Sequence, residues 1–98
     1  MKFYKRHWNE SRGDDFDYWG KSHWYFSVCS NSGITREQIE KYENGTSLFY
    51  SEEGLMHDEF GGLSEVPFDI SEWASFEISK DEYELVKSTT EFKNAKSI

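Results

Sequence analysis

The segment KSHWYFSVCSNSGITREQIEKYENGTSLFYS, residues 21–51, decides the fold class. Within Lys21–Cys29, β-forming side chains alternate with a period of two, so Trp24 and Phe26 lie on one face of a strand and Tyr25 on the other. Residues with high β-propensity dominate this stretch. The segment therefore predicts a half-buried β-strand at the centre of the chain.

A β-hairpin is predicted directly after this strand. Thr35–Glu43 alternates only weakly and taken alone would also suit a helix. Asn44-Gly45 decides between the two, because both residues tolerate the positive φ of a type I′ turn. Thr46–Ser51 then supplies a short apolar strand, so we predict one hairpin over Thr35–Ser51.

The segments outside this region are more varied. Phe3–Trp8 alternates as a further strand, and Asn9–Gly20 is typical of a long loop. Glu52–Ile70 has no period and predicts an irregular acidic connection, followed by a short helical turn at Ile70–Ala74. The apolar residues available to anchor that connection are Leu55, Phe60, Leu63, Val66 and Phe68.

The last predicted element is a helix over Lys80–Ser88. Ser79 and Glu82 fit a capping box, and Ile78 and Tyr83 have the spacing of a hydrophobic staple. We expect the polar tail to be frayed from about Lys93.

These elements predict a single α+β domain over residues 1–98: a four-stranded antiparallel sheet with a C-terminal helix packed on one face. The other sheet face would meet water or a partner. The 18 aromatic residues are more than one small core needs, which favours a partly exposed aromatic surface.

The net charge of -8 is unevenly distributed along the chain. Residues 1–50 hold seven basic and seven acidic residues, whereas residues 51–98 hold four and twelve. Within Glu52–Glu84, eleven acids accompany one base, Lys80. Such a field repels nucleic-acid phosphates and attracts cationic protein surfaces, so we expect no nucleic-acid partner.

The composition also bears on localisation. No stretch is long and apolar enough to span a membrane, and the basic N-terminus lacks the apolar region of a signal peptide. Cys29 is the only cysteine, which excludes an intramolecular disulfide and favours a reducing compartment. We therefore expect a soluble, cytoplasmic protein.

Catalytic and metal-binding motifs are missing. Three histidines are present, but no CxxC, HxxxH or HExxH spacing accompanies His57 or the others. Asp14-Asp15-Phe16-Asp17 lacks the further ligands of an EF-hand loop. We expect no enzyme activity, no cofactor and no metal; a carboxylate enzyme centred on His57 is the least favoured alternative.

Acidic residues interleaved with aromatic ones are the remaining signal. Carboxylates form charge-assisted hydrogen bonds with Arg or Lys of a partner, and large rings serve as apolar anchors. We predict a partner-binding surface formed by Glu52, Glu53, Asp58, Glu59, Phe60, Asp69, Glu72 and Trp73.

Several runs together resemble a group of small acidic bacterial proteins without assigned activity. These runs are Trp19-Gly20, Trp24-Tyr25-Phe26, residues 36–45, Gly61-Gly62-Leu63-Ser64 and residues 76–80. Members of such groups are often encoded beside polymorphic or contact-dependent toxins and look like their immunity proteins. The resemblance covers about residues 3–87 and identifies no binding residues.

The resemblance implies a cytosolic inhibitor that binds a basic toxin domain, such as a nuclease, and occludes or distorts its active site. An acidic inhibitor would compete with the substrate by presenting phosphate-like charge. The alternative is a non-enzymatic adaptor or self-associating regulatory domain that uses an exposed aromatic sheet face.

Overall fold

The computed structural model describes residues 1–94. The main sheet contains β1 (Lys2–Trp8), β2 (Ser22–Val28), β3 (Thr35–Tyr42), β4 (Ser47–Ser51) and β7 (Glu77–Ile78). A second, two-stranded sheet pairs β5 (His57–Asp58) with β6 (Gly61–Gly62). The helices are α1 (Ile70–Trp73) and α2 (Lys80–Thr89), and single 3-10 turns cover Asp17–Trp19 and Ala74–Phe76.

The α+β class, the antiparallel sheet and the C-terminal helix are confirmed, but the sheet has five strands and not four. Its order is β4-β3-β2-β1-β7, and each neighbouring pair is antiparallel. The unpredicted strand, β7, is only two residues long and pairs Ile78 with Phe3 and Glu77 with Tyr4. A strand this short carries no periodic signal in the sequence.

The turn between β3 and β4 corrects a detail of the predicted hairpin. Gly45 has φ 94°, but no non-glycine residue among those described has a positive φ, so Asn44 does not adopt a type I′ turn. Gly45 N–H donates to the Tyr42 carbonyl and Tyr42 N–H donates to the Thr46 carbonyl. The loop is thus three residues long and ends on a glycine in the left-handed region, another common hairpin geometry.

One face of the sheet packs against α2, as predicted. Phe3, Tyr25, Ile39 and Tyr83 form a buried cluster on this face. Ser79 Oγ accepts a hydrogen bond from Glu82 N–H at 3.1 Å and so caps the helix. The partly buried side chains that pack against the cluster are Phe49, Ile78, Val86 and Phe92.

Most of the opposite sheet face is covered by chain, whereas the prediction left that face open to water or a partner. Trp19, Tyr42, Leu48 and Tyr50 form one buried cluster there, and Tyr4, Phe26 and Val28 form another. The loop residues packed on these clusters are Phe16, Phe60, Leu63, Phe68, Ile70, Trp73 and Phe76. The loops at residues 9–20 and 52–76 therefore form a second layer, and most of the aromatic surplus is core.

Of the proposed loop anchors, Phe60, Leu63 and Phe68 pack on these clusters. Leu55 and Val66 do not: they are 40% and 73% exposed. Predicting anchors from apolar character alone therefore gave too many residues that pack this connection against the sheet.

Two residues at the start of the tail that was predicted to fray from about Lys93 form hydrogen bonds with β4. Lys93 N–H donates to the Ser47 carbonyl, and Asn94 exchanges side-chain hydrogen bonds with both backbone groups of Phe49. These contacts lie along the outer edge of β4. The rest of the predicted frayed tail, residues 95–98, lies outside the described residues.

Gly33 ties the second layer to the sheet. Its carbonyl accepts a 2.8 Å hydrogen bond from Phe68 N–H. It has φ 74°, and a Cβ added there would lie 2.5 Å from the Phe68 carbonyl oxygen. The close approach of two backbones therefore requires glycine at this position.

We expect Gly33→Ala to lower the free energy of unfolding by about 3 kcal/mol, because it combines a strained φ with a backbone clash. Gly13→Ala is the matched control: Gly13 has φ 76° but nothing within 4 Å of an added Cβ. The control should lose only about 1 kcal/mol. Urea unfolding measures both, and equal losses would contradict the tight Gly33–Phe68 contact.

Candidate functional site

The most distinctive surface lies on the loop-covered side of the molecule. There, an apolar groove of about 220 Å³ is lined by Trp8, Trp24, Phe26, Ser64, Phe68 and Trp73. We call it the tryptophan groove. Trp8 is 46% exposed, whereas Phe26 at the base is 5% exposed. The groove thus combines a rigid apolar floor with an accessible ring at its edge.

The register of β1 and β2 builds this groove. Trp8 and Trp24 extend from the same face as Tyr4 and Phe26, because β-strand side chains alternate. Their ring centroids lie 6.1 Å apart. From the second layer, Trp73 stacks against Phe68 at 4.4 Å and meets Phe26 edge-on at 5.7 Å.

Arg6 orders the groove wall. Its guanidinium carbon lies 4.9 Å from the Trp73 ring centre, 4.7 Å from that of Phe76 and 5.4 Å from that of Trp8. Cation–π contacts of this kind hold the rings in place before any partner arrives. The groove is therefore preorganised.

A polar cleft of about 420 Å³ adjoins the tryptophan groove and shares Trp8 and Trp24 with it. Glu40, at its base, is only 2% exposed. Its carboxylate accepts hydrogen bonds from Tyr42 Oη at 2.5 Å and Gln38 Nε2 at 2.9 Å. Burial raises the pKa of Glu40, and the two hydrogen bonds only partly oppose that effect.

Arg12 connects this buried network to the loop above it. Its guanidinium donates to Tyr42 Oη at 3.2 Å and to the Phe60 carbonyl, and it forms an ion pair with Asp14 at 2.9 Å. Gln38 continues the network by donating to the Gly62 carbonyl and accepting from Ser64 N–H. One network thus fixes loop residues on both sides of the cleft.

The eight predicted interface residues do not form one patch. Glu52 pairs with Arg36, and together with the exposed Glu53 it lines a depression beside α2, on the helix-covered side. The remaining six belong to the second layer, in two groups: residues 58–60 around the β5–β6 hairpin, and Asp69, Glu72 and Trp73 around α1.

Several of these six have roles within the chain. Asp58 accepts from Tyr50 Oη at 2.8 Å, Phe60 N–H at 2.9 Å and Asn94 Nδ2 at 3.0 Å. Although burial alone would raise it, these hydrogen bonds lower the pKa of Asp58. Phe60 packs on Phe16 and Trp19.

Around α1, Asp69 accepts from Ser71 N–H at 3.0 Å and caps the helix. Glu59 and Glu72 are exposed, and Trp73 forms one wall of the tryptophan groove. Of the eight predicted residues, Trp73 lines the groove, and the exposed Glu72 is its neighbour in the chain.

Sequence reasoning missed Trp8, Trp24, Glu10 and Glu65 as site residues. Glu10 lines the polar cleft, and Glu65 follows the groove-lining Ser64. The alternation of β1 does place Trp8 with Arg6 on one face, and that was the available signal. Nothing local in the sequence predicts that α1 folds back against those two residues.

Two general features of the described chain bear on function. Among residues 1–94, no group of three or more His, Cys, Asp or Glu side chains is arranged to hold a metal ion. Within the same part of the chain, neither helix has the length and apolar character that crossing a membrane requires.

The buried Glu40 predicts a specific pH dependence. Because its folded-state pKa is raised, its stabilising contribution is complete below the unfolded-state pKa and is lost as the pH rises through the folded-state pKa. Glu40→Gln removes this titration, so stability should fall less between about pH 4.5 and pH 7.5 in the variant than in the wild type. Urea unfolding at both pH values gives the change in the free energy of unfolding between them. Loss of the Glu40 hydrogen bonds in the variant lowers that free energy equally at the two pH values and so does not alter the change.

Glu53→Gln is the control for this measurement, since Glu53 is exposed and belongs to no ion pair in the described chain. Its stability should follow the wild type across the range. A Glu40→Gln slope equal to that of the wild type would contradict a raised Glu40 pKa.

Comparisons with known proteins supply no family for this chain: no family model matches it, and no curated protein or solved structure is significantly similar. The resemblance to immunity-like proteins stays a prediction.

Proposed function

We propose that this protein is a non-catalytic, immunity-type inhibitor that binds a basic protein toxin domain through the tryptophan groove and the carboxylates around it. The observation that carries the proposal is an open apolar groove whose lining residues Ser64 and Trp73 are chain neighbours of the exposed Glu65 and Glu72. Neither carboxylate forms an ion pair in residues 1–94. This pairing of features fits the anatomy of a protein interface, with an apolar centre and a polar rim.

Charge supports a basic partner. Nine of the eleven acids in Glu52–Glu84 are exposed. Of all eleven, only Glu52 and Glu77 form ion pairs within the described chain. The exposed nine are Glu53, Glu59, Glu65, Asp69, Glu72, Glu77, Asp81, Glu82 and Glu84. All of these nine except Glu77 form no ion pair within residues 1–94. Such unpaired charge steers a cationic protein toward the surface and accelerates association.

The groove supports a specific rather than a purely electrostatic complex. A cavity of about 220 Å³ between Trp8, Trp24 and Trp73 has room for an apolar side chain of a partner. Aromatic anchors at the centre of an interface contribute most of the binding energy, whereas rim charges mainly set the association rate. Glu65 and Glu72, each next to a groove-lining residue in the chain, are positioned to serve as such rim charges.

A nuclease toxin fits this surface because its substrate cleft must be basic to hold phosphates. Carboxylates presented in that cleft would compete with the nucleic acid for the same cationic side chains. Inhibition then requires no chemistry from this chain, only a slow dissociation rate.

The alternative of an adaptor or self-associating domain with a broad aromatic face has less support. On the loop-covered sheet face, Tyr4, Phe26, Tyr42 and Tyr50 are buried, and Trp8 is the exposed ring. Light scattering distinguishes the two: self-association that persists at high salt favours this alternative.

The direct test is co-expression with the product of the adjacent gene. We expect a stable complex, rescue of cells from that product, and an association rate that falls as salt concentration rises. Failure of the wild-type chain to bind or to rescue would remove the inhibitor proposal.

Charge-reversal variants locate the interface. Glu65→Lys with Glu72→Lys should weaken the complex by about tenfold or more, chiefly through a slower association rate. The control, Glu53→Lys with Glu84→Lys, makes the same change in net charge at the depression beside α2. Surface plasmon resonance measures both pairs, and an equal loss in the two would place the interface outside the groove.

Trp8→Ala tests the apolar anchor. Because Trp8 is 46% exposed, we expect the fold to persist while the dissociation rate rises by about tenfold or more. An unchanged dissociation rate with the intact fold would exclude the tryptophan groove as the anchor site.

A further inference from the structure

A basic depression lies on the opposite side of the sheet from the tryptophan groove, on the helix-side face. It has a volume of about 430 Å³, and its charged lining includes Lys5, His7, Lys21, His23 and Lys41. We call it the basic depression. Its positive charge contrasts with the net charge of the whole chain, which is -8.

Strand register brings these side chains together. His7 on β1 lies opposite His23 on β2, which in turn lies opposite Lys41 on β3. Lys5 is two residues along β1 from His7 and lies opposite Tyr25, with its ammonium 5.6 Å from the Tyr25 ring centre. Three neighbouring strands thus present cations on one face.

The positive charge is not neutralised within the described chain. The ion pairs of residues 1–94 use none of Lys5, Lys21 and Lys41. Glu43 is the acid in the lining, and its carboxylate accepts a 2.6 Å hydrogen bond from Lys21 backbone N–H. Residues 1–50 as a whole are neutral, but none of the other six acids of that half lines the depression.

The two histidines add a titratable element. Their rings are stacked, with centroids 4.5 Å apart. Burial first, and then the charges of His7, Lys5 and Lys41, lower the pKa of His23. The other titratable groups lining the depression are Lys21, Tyr25, Tyr42 and Glu43. A bound anion would offset the repulsion among the cations and favour the protonated form of His23.

We propose that the basic depression binds a terminal phosphate or pyrophosphate group of a small molecule. Phosphate has several acceptor oxygens and up to two charges on one centre, which matches lysine ammonium and imidazole donors converging from adjacent strands. A single carboxylate has one charge and two oxygens, so it satisfies fewer of these donors. This site is separate from the proposed toxin interface, and neither proposal depends on the other.

Inorganic pyrophosphate is the probe, titrated at low ionic strength while NMR records the ring protons of His7 and His23. We expect saturable shifts of the ring protons of both histidines, because a bound anion changes the electrostatic environment of both rings. Absence of a saturable shift at about 10 mM pyrophosphate, a concentration well above a millimolar Kd, would overturn the proposal.

The variant Lys5→Gln with Lys41→Gln should lower the affinity about tenfold or more, and the same spectra show whether it remains folded. Lys80→Gln with Lys93→Gln is the matched control, since it removes two exposed lysines outside the depression. An equal loss in both pairs would mean a general charge effect and would overturn the site.

Two further probes test the kind of anion that the depression binds. A short single-stranded oligonucleotide without a terminal phosphate has one charge per phosphodiester, so tighter binding of the oligonucleotide than of pyrophosphate would contradict a site for a terminal phosphate. Tighter binding of pyrophosphate supports a small phosphorylated molecule. If a polyglutamate peptide binds the depression as tightly as both, the surface recognises acidic protein and the phosphate proposal fails.

Discussion

The buried carboxylate of Glu40 and its hydrogen bond from Tyr42 are the constraint on which the second layer depends. Glu40 is only 2% exposed, so its carboxylate needs hydrogen-bond donors around it. Burying a charge without such partners costs roughly several kcal/mol. Arg12 and Gln38 provide the connections from this centre to the two loops. Hydrogen bonds from the sheet thereby hold the two loops of the second layer in place. The second layer in turn supplies Phe68 and Trp73 to the wall of the tryptophan groove.

The sheet and α2 could be predicted because their signals are local. The period-two pattern in Lys21–Cys29 and the capping residue Ser79 specify structure within a few residues of themselves. β7 could not be predicted in this way, since its two residues form a strand only through pairing with Phe3 and Tyr4. The two loops likewise owe their positions to distant contacts, such as Phe68 N–H with the Gly33 carbonyl.

The candidate site shows the same division between local and distant information. Acidic and aromatic residues in Glu52–Glu84 predicted a surface for a basic protein, and Trp73 from this segment lines the groove. Composition did not indicate that Asp58 would be engaged by Tyr50 and Asn94. Nor did charge counting along the chain reveal the basic depression, since Lys5 and Lys41 are 36 positions apart and come to one depression only because β2 pairs with both β1 and β3.

The hydrogen bonds of Lys93 and Asn94 to Ser47 and Phe49 have a consequence for handling the protein. β4 is an outermost strand, and its unpaired amides and carbonyls would otherwise be a template for another chain. Lys93 and Asn94 occupy some of these backbone groups. A truncation that removes the two residues would expose the edge of β4 and promote pairing between the edge strands of two molecules. An affinity tag is therefore better attached at the N-terminus than in place of the last residues.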